Sequence, residues 1–140
     1  MQPKVVFGNA IIEGANRWGW FVGHFITPSE DPRSTEALEV KWAVHKAGDS
    51  RTQWAVNTEA TTLSILISGR FRLQFEDKEI LLFRESDYVL WCSGVSHCWV
   101  AESDSTILTV RWPSLSGDSV GMSKQFEVTH TQSIGLDIIS

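Results

Sequence analysis

The chain has 140 residues, of which 42% are hydrophobic and 21% charged, and its formal net charge is −5. This length suits one ordinary domain, and this composition excludes an intrinsically disordered chain. The negative charge without a basic run argues against a nucleic acid as partner, and the lack of any stretch of about 18 apolar residues argues against a membrane span.

The N-terminal segment carries one lysine and a short apolar stretch that Gly8 and Asn9 interrupt. This is not the pattern of a secretory signal, so we expect a cytoplasmic protein. Residues 4–12 are predicted to form a strand that serves as a sheet edge or as part of a dimer contact.

Short strands separated by polar turns are predicted from residue 18 to residue 112. They cover residues 18–26, 38–45, 61–67, 70–75, 79–83, 88–92, 97–101 and 106–112. Strands of this length and spacing, with Gly, Asp and Ser between them, indicate a sandwich or a barrel. Seven tryptophans fall in or near these strands. Most are expected to fill the interior, with two or three lining a pocket.

The stretch 38–45 shows the clearest alternation. Four apolar residues, Leu38, Val40, Trp42 and Val44, alternate with Glu39, Lys41, Ala43 and His45. A half-buried strand has one polar face, so we assign the second set to solvent. By the same argument Arg111 in the last strand is expected to point outward. If it pointed inward, it would favour a carboxylate or phosphate ligand.

Residues 113–140 become Ser- and Gly-rich and then mildly hydrophobic again. We expect this tail to pack across the barrel or to join a second subunit, and we expect a homodimer. No linker separates a second domain, so the prediction is one all-β domain over residues 1–140, with a barrel core at about 18–112.

Glycines at positions 48, 69 and 94, together with His97, have the spacing of two known motifs. The first is Gly, five residues, His-x-His, three or four residues, Glu, six residues and Gly. The second is Gly, five residues, Pro-x-Gly, two residues, His, three residues and Asn. The stretch from Gly48 to Ala101 therefore resembles the cupins, and the resemblance implies a jelly-roll double-stranded β-barrel.

In cupins the two histidines and the glutamate of the first motif, with the histidine of the second, usually hold one divalent metal. In this chain Trp54 and Val56 are aligned with His-x-His, and Thr62 is aligned with the glutamate. Only His97 remains. An indole, an isopropyl group and a neutral hydroxyl cannot replace imidazole and carboxylate ligands, so we expect no metal and no other cofactor.

Two other ligand sets can be drawn from the sequence. Glu39, His45, Glu59 and His97 would form a relocated metal site if their strand faces pointed inward. Cys92, His97 and Cys98 offer thiolates, but neighbouring residues on a strand point to opposite faces, which disfavours a zinc site there. The two cysteines are expected to be reduced thiols.

The residues expected to line a metal-free pocket are Trp54, Val56, Thr62, Ser64, His97 and Trp99. An apolar cavity with aromatic walls and a few hydrogen-bonding groups is the usual form of a small-molecule site. His97 would orient a ligand or act as a general base; alternatively it hydrogen-bonds Thr62 inside a filled core.

Three functions follow from these patterns. The first is a small-molecule-binding cupin without the usual metal site. The second is a metal-independent enzyme in which His97 acts as acid or base on a sugar or a small carbonyl compound. The third is a cupin with relocated metal ligands or an interaction domain with a filled barrel. The first is preferred, and no catalytic activity is assigned.

Overall fold

Eleven strands and one helical turn form the regular structure of the described part of the chain. The computed structural model describes residues 5–122 and 136–138. In chain order the elements are α1 (Ala10–Glu13), β1 (Trp20–Val22), β2 (Glu39–His45), β3 (Ser50–Asn57), β4 (Thr61–Ser68), β5 (Phe71–Phe75), β6 (Lys78–Leu82), β7 (Tyr88–Trp91), β8 (His97–Ala101), β9 (Ser105–Trp112), β10 (Ser119–Met122) and β11 (Leu136–Ile138). No helix in these ranges is long and apolar enough to cross a membrane.

The strands form two sheets whose neighbouring strands run antiparallel. One has the order β1–β2–β9–β4–β7 and the other the order β11–β10–β3–β8–β5–β6. Consecutive side chains of a strand point to opposite faces, so each sheet turns one set of residues toward the other sheet. The predicted all-β jelly-roll architecture is confirmed.

The core lies between the two sheets and consists of apolar side chains from both. Its buried members are Leu66, Phe71, Leu73, Leu82, Trp91, Ala101 and Ile107. Full burial of a large apolar side chain contributes about 1.5–3 kcal/mol, so this cluster supplies a large share of the stability. Gly69 joins β4 to β5 with a φ of +105°, and a Cβ there would collide with the backbone at Asp104 and Ser105. The motif glycine at this turn is therefore sterically required.

Strand β2 presents the opposite face to the interior from the one we predicted. Glu39 and Ala43 are 7% and 6% exposed, whereas Val44 is 61% exposed. The assignment of Glu39, Lys41, Ala43 and His45 to solvent is therefore wrong. Alternation separates two faces but does not say which one is covered, and here buried charge partners make the polar face the inner one.

Pairing register brings the polar inner residues of three strands into line. Glu39 of β2 lies opposite Arg111 of β9, and Arg111 lies opposite Thr62 of β4. One step along, Lys41 is paired with Thr109, which is paired with Ser64. These two rows form a polar layer beside the apolar core.

The N-terminal segment does not form the predicted strand over the part that is described, residues 5–12. Asn9 caps a helical turn instead: its Oδ1 accepts from the Ile12 amide at 3.1 Å, and its own amide donates to Oε2 of Glu13 at 3.1 Å. This reciprocal capping satisfies the free amides of the turn, a signal that the sequence carried. The next strand begins at Trp20, and Trp18 is 74% exposed.

The last part of the chain contributes strands to the six-stranded sheet. β10 pairs with β3, and β11 pairs with β10. The rest of the predicted tail element, residues 123–135 and 139–140, lies outside the described residues. The dimer expected through the terminal segments stays a prediction.

Candidate functional site

A buried ion pair spans the first polar row. Nη1 of Arg111 donates to Oε2 of Glu39 at 3.2 Å, and Arg111 Nε donates to Thr62 Oγ1 at 3.3 Å. The Ser114 hydroxyl donates to the other carboxylate oxygen of Glu39 at 2.7 Å and contacts Nδ1 of His24 at 2.7 Å. The expectation that Arg111 points to solvent is wrong, because its charge is compensated inside the barrel.

His97 is buried and held by its own loop. Its Nδ1 lies 3.1 Å from the carbonyl oxygen of Val95, and its ring centroid lies 4.7 Å from that of Trp91. Burial lowers the pKa of His97 to about 4, and the charges of Arg111 and Arg51 act in the same direction. The ring is therefore neutral at pH 7 and a weak base. The alternative in which His97 hydrogen-bonds Thr62 is not observed; the Thr62 hydroxyl accepts from Arg111 at 3.3 Å.

Trp99 lies in an aromatic group on the inner face. Its ring centroid lies 4.3 Å from that of His45 and 5.2 Å from that of Phe71. Burial lowers the pKa of His45 to about 4, and nearby Lys41 lowers it further. His45 is therefore a neutral ring that contacts Trp99 at a tilt of 45°, and together they make an aromatic wall.

Two cationic side chains, Lys41 and Arg51, lie beside this aromatic group. Burial lowers the pKa of Lys41 to about 7, with further contributions from the positive charges of Arg51 and Arg111. The pKa of Arg51 is also lowered, by burial and then by Arg111. Sequence reasoning missed Lys41 and Arg51, and it named His45 only as a ligand of a relocated metal site. For Lys41 and His45 the available signal was that Ala43, a small residue, shares their face of β2.

Pairing of β3 with β8 shows which residues of β3 face inward. The register between β3 and β8 shifts between Arg51 and Ala55, so that Ala55 lies opposite His97. Ala55 and Asn57 are fully buried, at 0% and 1% exposed. Trp54 and Val56 therefore belong to the other face of the strand and are not among the residues that line the barrel cavities.

This register also corrects the motif alignment. The inner positions of the first motif are Ala55 and Asn57, and the gap of four residues from Asn57 to Thr62 then matches the family pattern. A methyl group, a carboxamide and a hydroxyl beside one histidine do not fit a divalent transition metal. Nor do the described residues bring together three or more His, Cys, Asp or Glu side chains that could hold an ion.

The residues proposed for the two alternative metal sites make other contacts instead. Glu39 is bonded to Arg111 and Ser114, and His45 is packed against Trp99. Cys92 is exposed, whereas Cys98 is buried and donates from Sγ to Oε1 of Gln74 at 3.0 Å.

Two adjoining cavities occupy this end of the barrel. The inner one, about 50 Å³, is lined by Thr62, Ser64, His97 and Trp99, so the structure brings these four predicted residues together. It has room for a few waters only. The outer one, about 810 Å³, opens to solvent. Residues that line both cavities are Lys41, Ala43, His45, Arg51 and Trp99. We call the outer one the mouth cavity.

A third cavity of about 260 Å³ lies beyond the ion pair. Arg111 lines both it and the inner cavity, and Trp20 lies in its wall. The guanidinium carbon of Arg111 is 4.9 Å from the Trp20 ring centroid, and Nζ of Lys41 is 5.5 Å from it. Trp20 thus contacts one cation from each row of the polar layer.

Comparison with solved structures identifies the architecture. KdgF from Halomonas sp. superposes with a TM-score of 0.51 and 20% sequence identity over 58% of this chain and 74% of that one. An RmlC-like cupin from Shewanella frigidimarina gives a TM-score of 0.51 and 14% identity over 58% and 70% of the two chains. The chain has the cupin fold. Comparison with protein-family models gives no match. Comparison with curated proteins gives none either. The fold is therefore shared, and function has to be argued from the site.

Proposed function

We propose that this cupin binds a small organic molecule in the mouth cavity and that it does so without a metal ion. The observation that carries the proposal is the mouth cavity itself, about 810 Å³ in volume. Ligand pockets in proteins commonly measure about 300–1,000 Å³ and combine apolar walls with a few polar groups. The wall formed by Trp99 and His45 and the cations Lys41 and Arg51 give this combination.

The proposed binding site therefore lies further out along the barrel than the site predicted from the sequence. The inner cavity around His97 is too small for an organic ligand, but it adjoins the mouth cavity at Lys41, His45, Arg51 and Trp99. Ordered water in the inner cavity could connect a bound molecule to the hydroxyls of the second polar row.

Binding is favoured over acid–base catalysis by the surroundings of His97. A general base is most effective when its pKa lies near the working pH, and the pKa of His97 is lowered to about 4. The hydrogen bond of its ring within residues 5–122 is to the Val95 carbonyl, so no side chain there is placed to share a proton with it.

A neutral fluorescent probe, N-phenyl-1-naphthylamine, tests the proposal. We expect one molecule to bind per chain with enhanced fluorescence. The Ala43→Phe variant should abolish this binding, because Ala43 lines both cavities and a phenyl group would fill the space between Lys41 and His45.

The matched control is Val40→Phe, which adds bulk on the outer face of the same strand. It should bind the probe like the parent protein. No binding by the parent protein, or equal binding by both variants, would contradict the proposal.

A further inference from the structure

We propose that the ligand of the mouth cavity is an organic anion, whose charged group binds to Lys41 and Arg51 and whose body lies against Trp99 and His45. This inference rests on the proposed function, since it assigns the chemical class of the molecule bound at the same site. The charged group is a carboxylate, sulfonate or phosphate, and the body is apolar or aromatic.

Positive charge exceeds negative charge around the inner cavity. Three cations, Lys41, Arg51 and Arg111, line the inner cavity. The carboxylate that faces them, Glu39, is already held by Arg111 at 3.2 Å and by the Ser114 hydroxyl at 2.7 Å. The pair Arg111–Glu39 is therefore neutralised, and within residues 5–122 Lys41 and Arg51 have no carboxylate partner of their own.

Asp118, the other buried carboxylate nearby, is also engaged. Its oxygens accept from the side chains of Asn57 and Thr58 and from the amides of Glu59 and Ala60, at 2.7–3.2 Å. These bonds fix the loop between β3 and β4, and they occupy both carboxylate oxygens of Asp118. It does not compensate Lys41 or Arg51.

Lys41 and Arg51 have hydrogen-bond donors that no acceptor within residues 5–122 engages. Within residues 5–122, no hydrogen bond or ion pair involves the ammonium group of Lys41 or the guanidinium of Arg51; the contact made by Lys41 is with the Trp20 ring, 5.5 Å from Nζ. A guanidinium carries five N–H donors in a planar fork that matches a carboxylate or phosphate. Both side chains line the mouth cavity, so a bound anion can reach these donors.

An ordinary solvated lysine and arginine would be a simpler explanation, but their burial argues against it. Both side chains are partly withdrawn from water, and both have a lowered pKa, caused first by burial and then by neighbouring positive charge. Placing two like charges in such a site is unfavourable unless a counter-charge joins them. An anion from solution would supply that counter-charge.

An aromatic wall is available to the body of the ligand. It lies beside the cations, because His45 shares strand β2 with Lys41 and Trp99 is paired with Arg51. The ring centroids of His45 and Trp99 are 4.3 Å apart, and His45 is neutral. Apolar residues at the rim, Ile11, Trp18 and Val44, extend this surface toward solvent. A flat apolar group would bury area here while its anionic end stays at the cations.

Two dyes that differ by one sulfonate group test the inference: 8-anilinonaphthalene-1-sulfonate and the neutral N-phenyl-1-naphthylamine. We expect the anionic dye to bind the parent protein at least about tenfold more tightly. Lys41→Met and Arg51→Met should each lower the affinity for the anionic dye by about tenfold or more. They should change the affinity for the neutral dye by less than about twofold. Lys46→Met, which removes an exposed charge at the end of β2, is the control and should change neither.

Urea unfolding shows whether the methionine variants keep their structure. The variant Lys41→Arg provides a second check. This variant keeps a cation at the position and should retain tight binding of the anionic dye. Competition by 1-naphthoate and by 1-naphthyl phosphate identifies the preferred anionic group, and 1-naphthamide should not compete. Each of these ligands carries the same ring system.

The outcomes separate the two proposals. If both dyes bind equally and the methionine variants bind both like the parent protein, the anion inference is wrong, whereas binding in the cavity stands. If neither dye binds, or if Ala43→Phe leaves the binding of both unchanged, the proposed function itself is wrong.

Discussion

Arg111 and Glu39 form an ion pair that the barrel removes almost completely from water. The distance from Nη1 to Oε2 is 3.2 Å, and the two side chains are 10% and 9% exposed. Replacing one partner leaves the other charge buried without compensation, which typically costs about 3–5 kcal/mol. We predict that Glu39→Gln lowers the free energy of unfolding in urea by about 3 kcal/mol. Glu79→Gln, which alters the exposed contact with Arg72, should cost less than about 1 kcal/mol. Equal costs for the two variants would mean that the buried pair contributes nothing.

Asp118 ties the loop after β3 to the segment before β10. Its hydrogen bonds hold its pKa below the ordinary value against the opposing effect of burial; the donors are Thr58, Glu59, Asn57 and Ala60. Asp118→Asn replaces one carboxylate oxygen, an acceptor, with an NH2 group, a donor. This NH2 group would face the N–H and O–H donors that the carboxylate now accepts from. We expect a loss of about 2 kcal/mol in thermal unfolding at neutral pH. Asp77→Asn at the exposed hairpin between β5 and β6 is the control. A melting temperature shared by both variants would contradict this role.

Buried neutral histidines should make the protein sensitive to acid. The pKa of His97 is about 4 in the folded protein and 6.5 when unperturbed, mainly because of burial. Between these pH values the unfolded chain binds a proton that the folded chain does not, so stability falls as the pH is lowered from 6.5 toward 4. The loss attributable to His97 is about 3 kcal/mol.

Urea unfolding at several pH values measures this effect. In His97→Gln the free energy of unfolding should fall less steeply between pH 6.5 and pH 4, and adding His45→Gln should flatten the profile further. An unchanged slope in His97→Gln would show that His97 can be protonated in the folded state without penalty.

Binding of the anionic dye should depend on the charge of Lys41. Its folded pKa is about 7, so the ammonium is progressively lost as the pH rises through neutrality. The other groups facing it are Arg51 and Arg111, which stay charged, Glu39, which is paired, and His45, which is neutral. Affinity should therefore fall between pH 6 and pH 8 in the parent protein and stay constant in Lys41→Arg. Titrations of the dye at fixed ionic strength measure this, and identical pH profiles for the two proteins would contradict it.

The sequence was sufficient to predict the architecture but not the faces of its strands. Short alternating segments and the glycine at position 69 indicate a jelly roll because turns and burial impose those patterns locally. Alternation in β2 could not show that Glu39, Lys41 and His45 point inward, because charged residues are rarely buried and the partner of Glu39 comes from a distant strand. Arg111, the partner of Glu39, is 72 positions away in the chain.

The candidate site was only partly predictable for a similar reason. Thr62, Ser64, His97 and Trp99 lie in regularly paired strands, and counting along the motif places them around one cavity. Trp54 and Val56 follow an irregularity in the pairing of β3 with β8, and the count from Gly48 that selected them falls one position before the inner residues Ala55 and Asn57. The irregularity depends on pairing with β8, which spacing within β3 does not show.

The central claim is that this barrel holds an organic ligand in its mouth cavity and no metal ion in the inner cavity around His97. The most direct test is elemental analysis of the purified, untagged protein after equilibration with Mn, Fe, Ni and Zn and removal of unbound ions. The donor set of Ala55, Asn57, Thr62 and His97 predicts far less than one equivalent of every metal. Near-stoichiometric metal that is lost in His97→Ala would contradict the account.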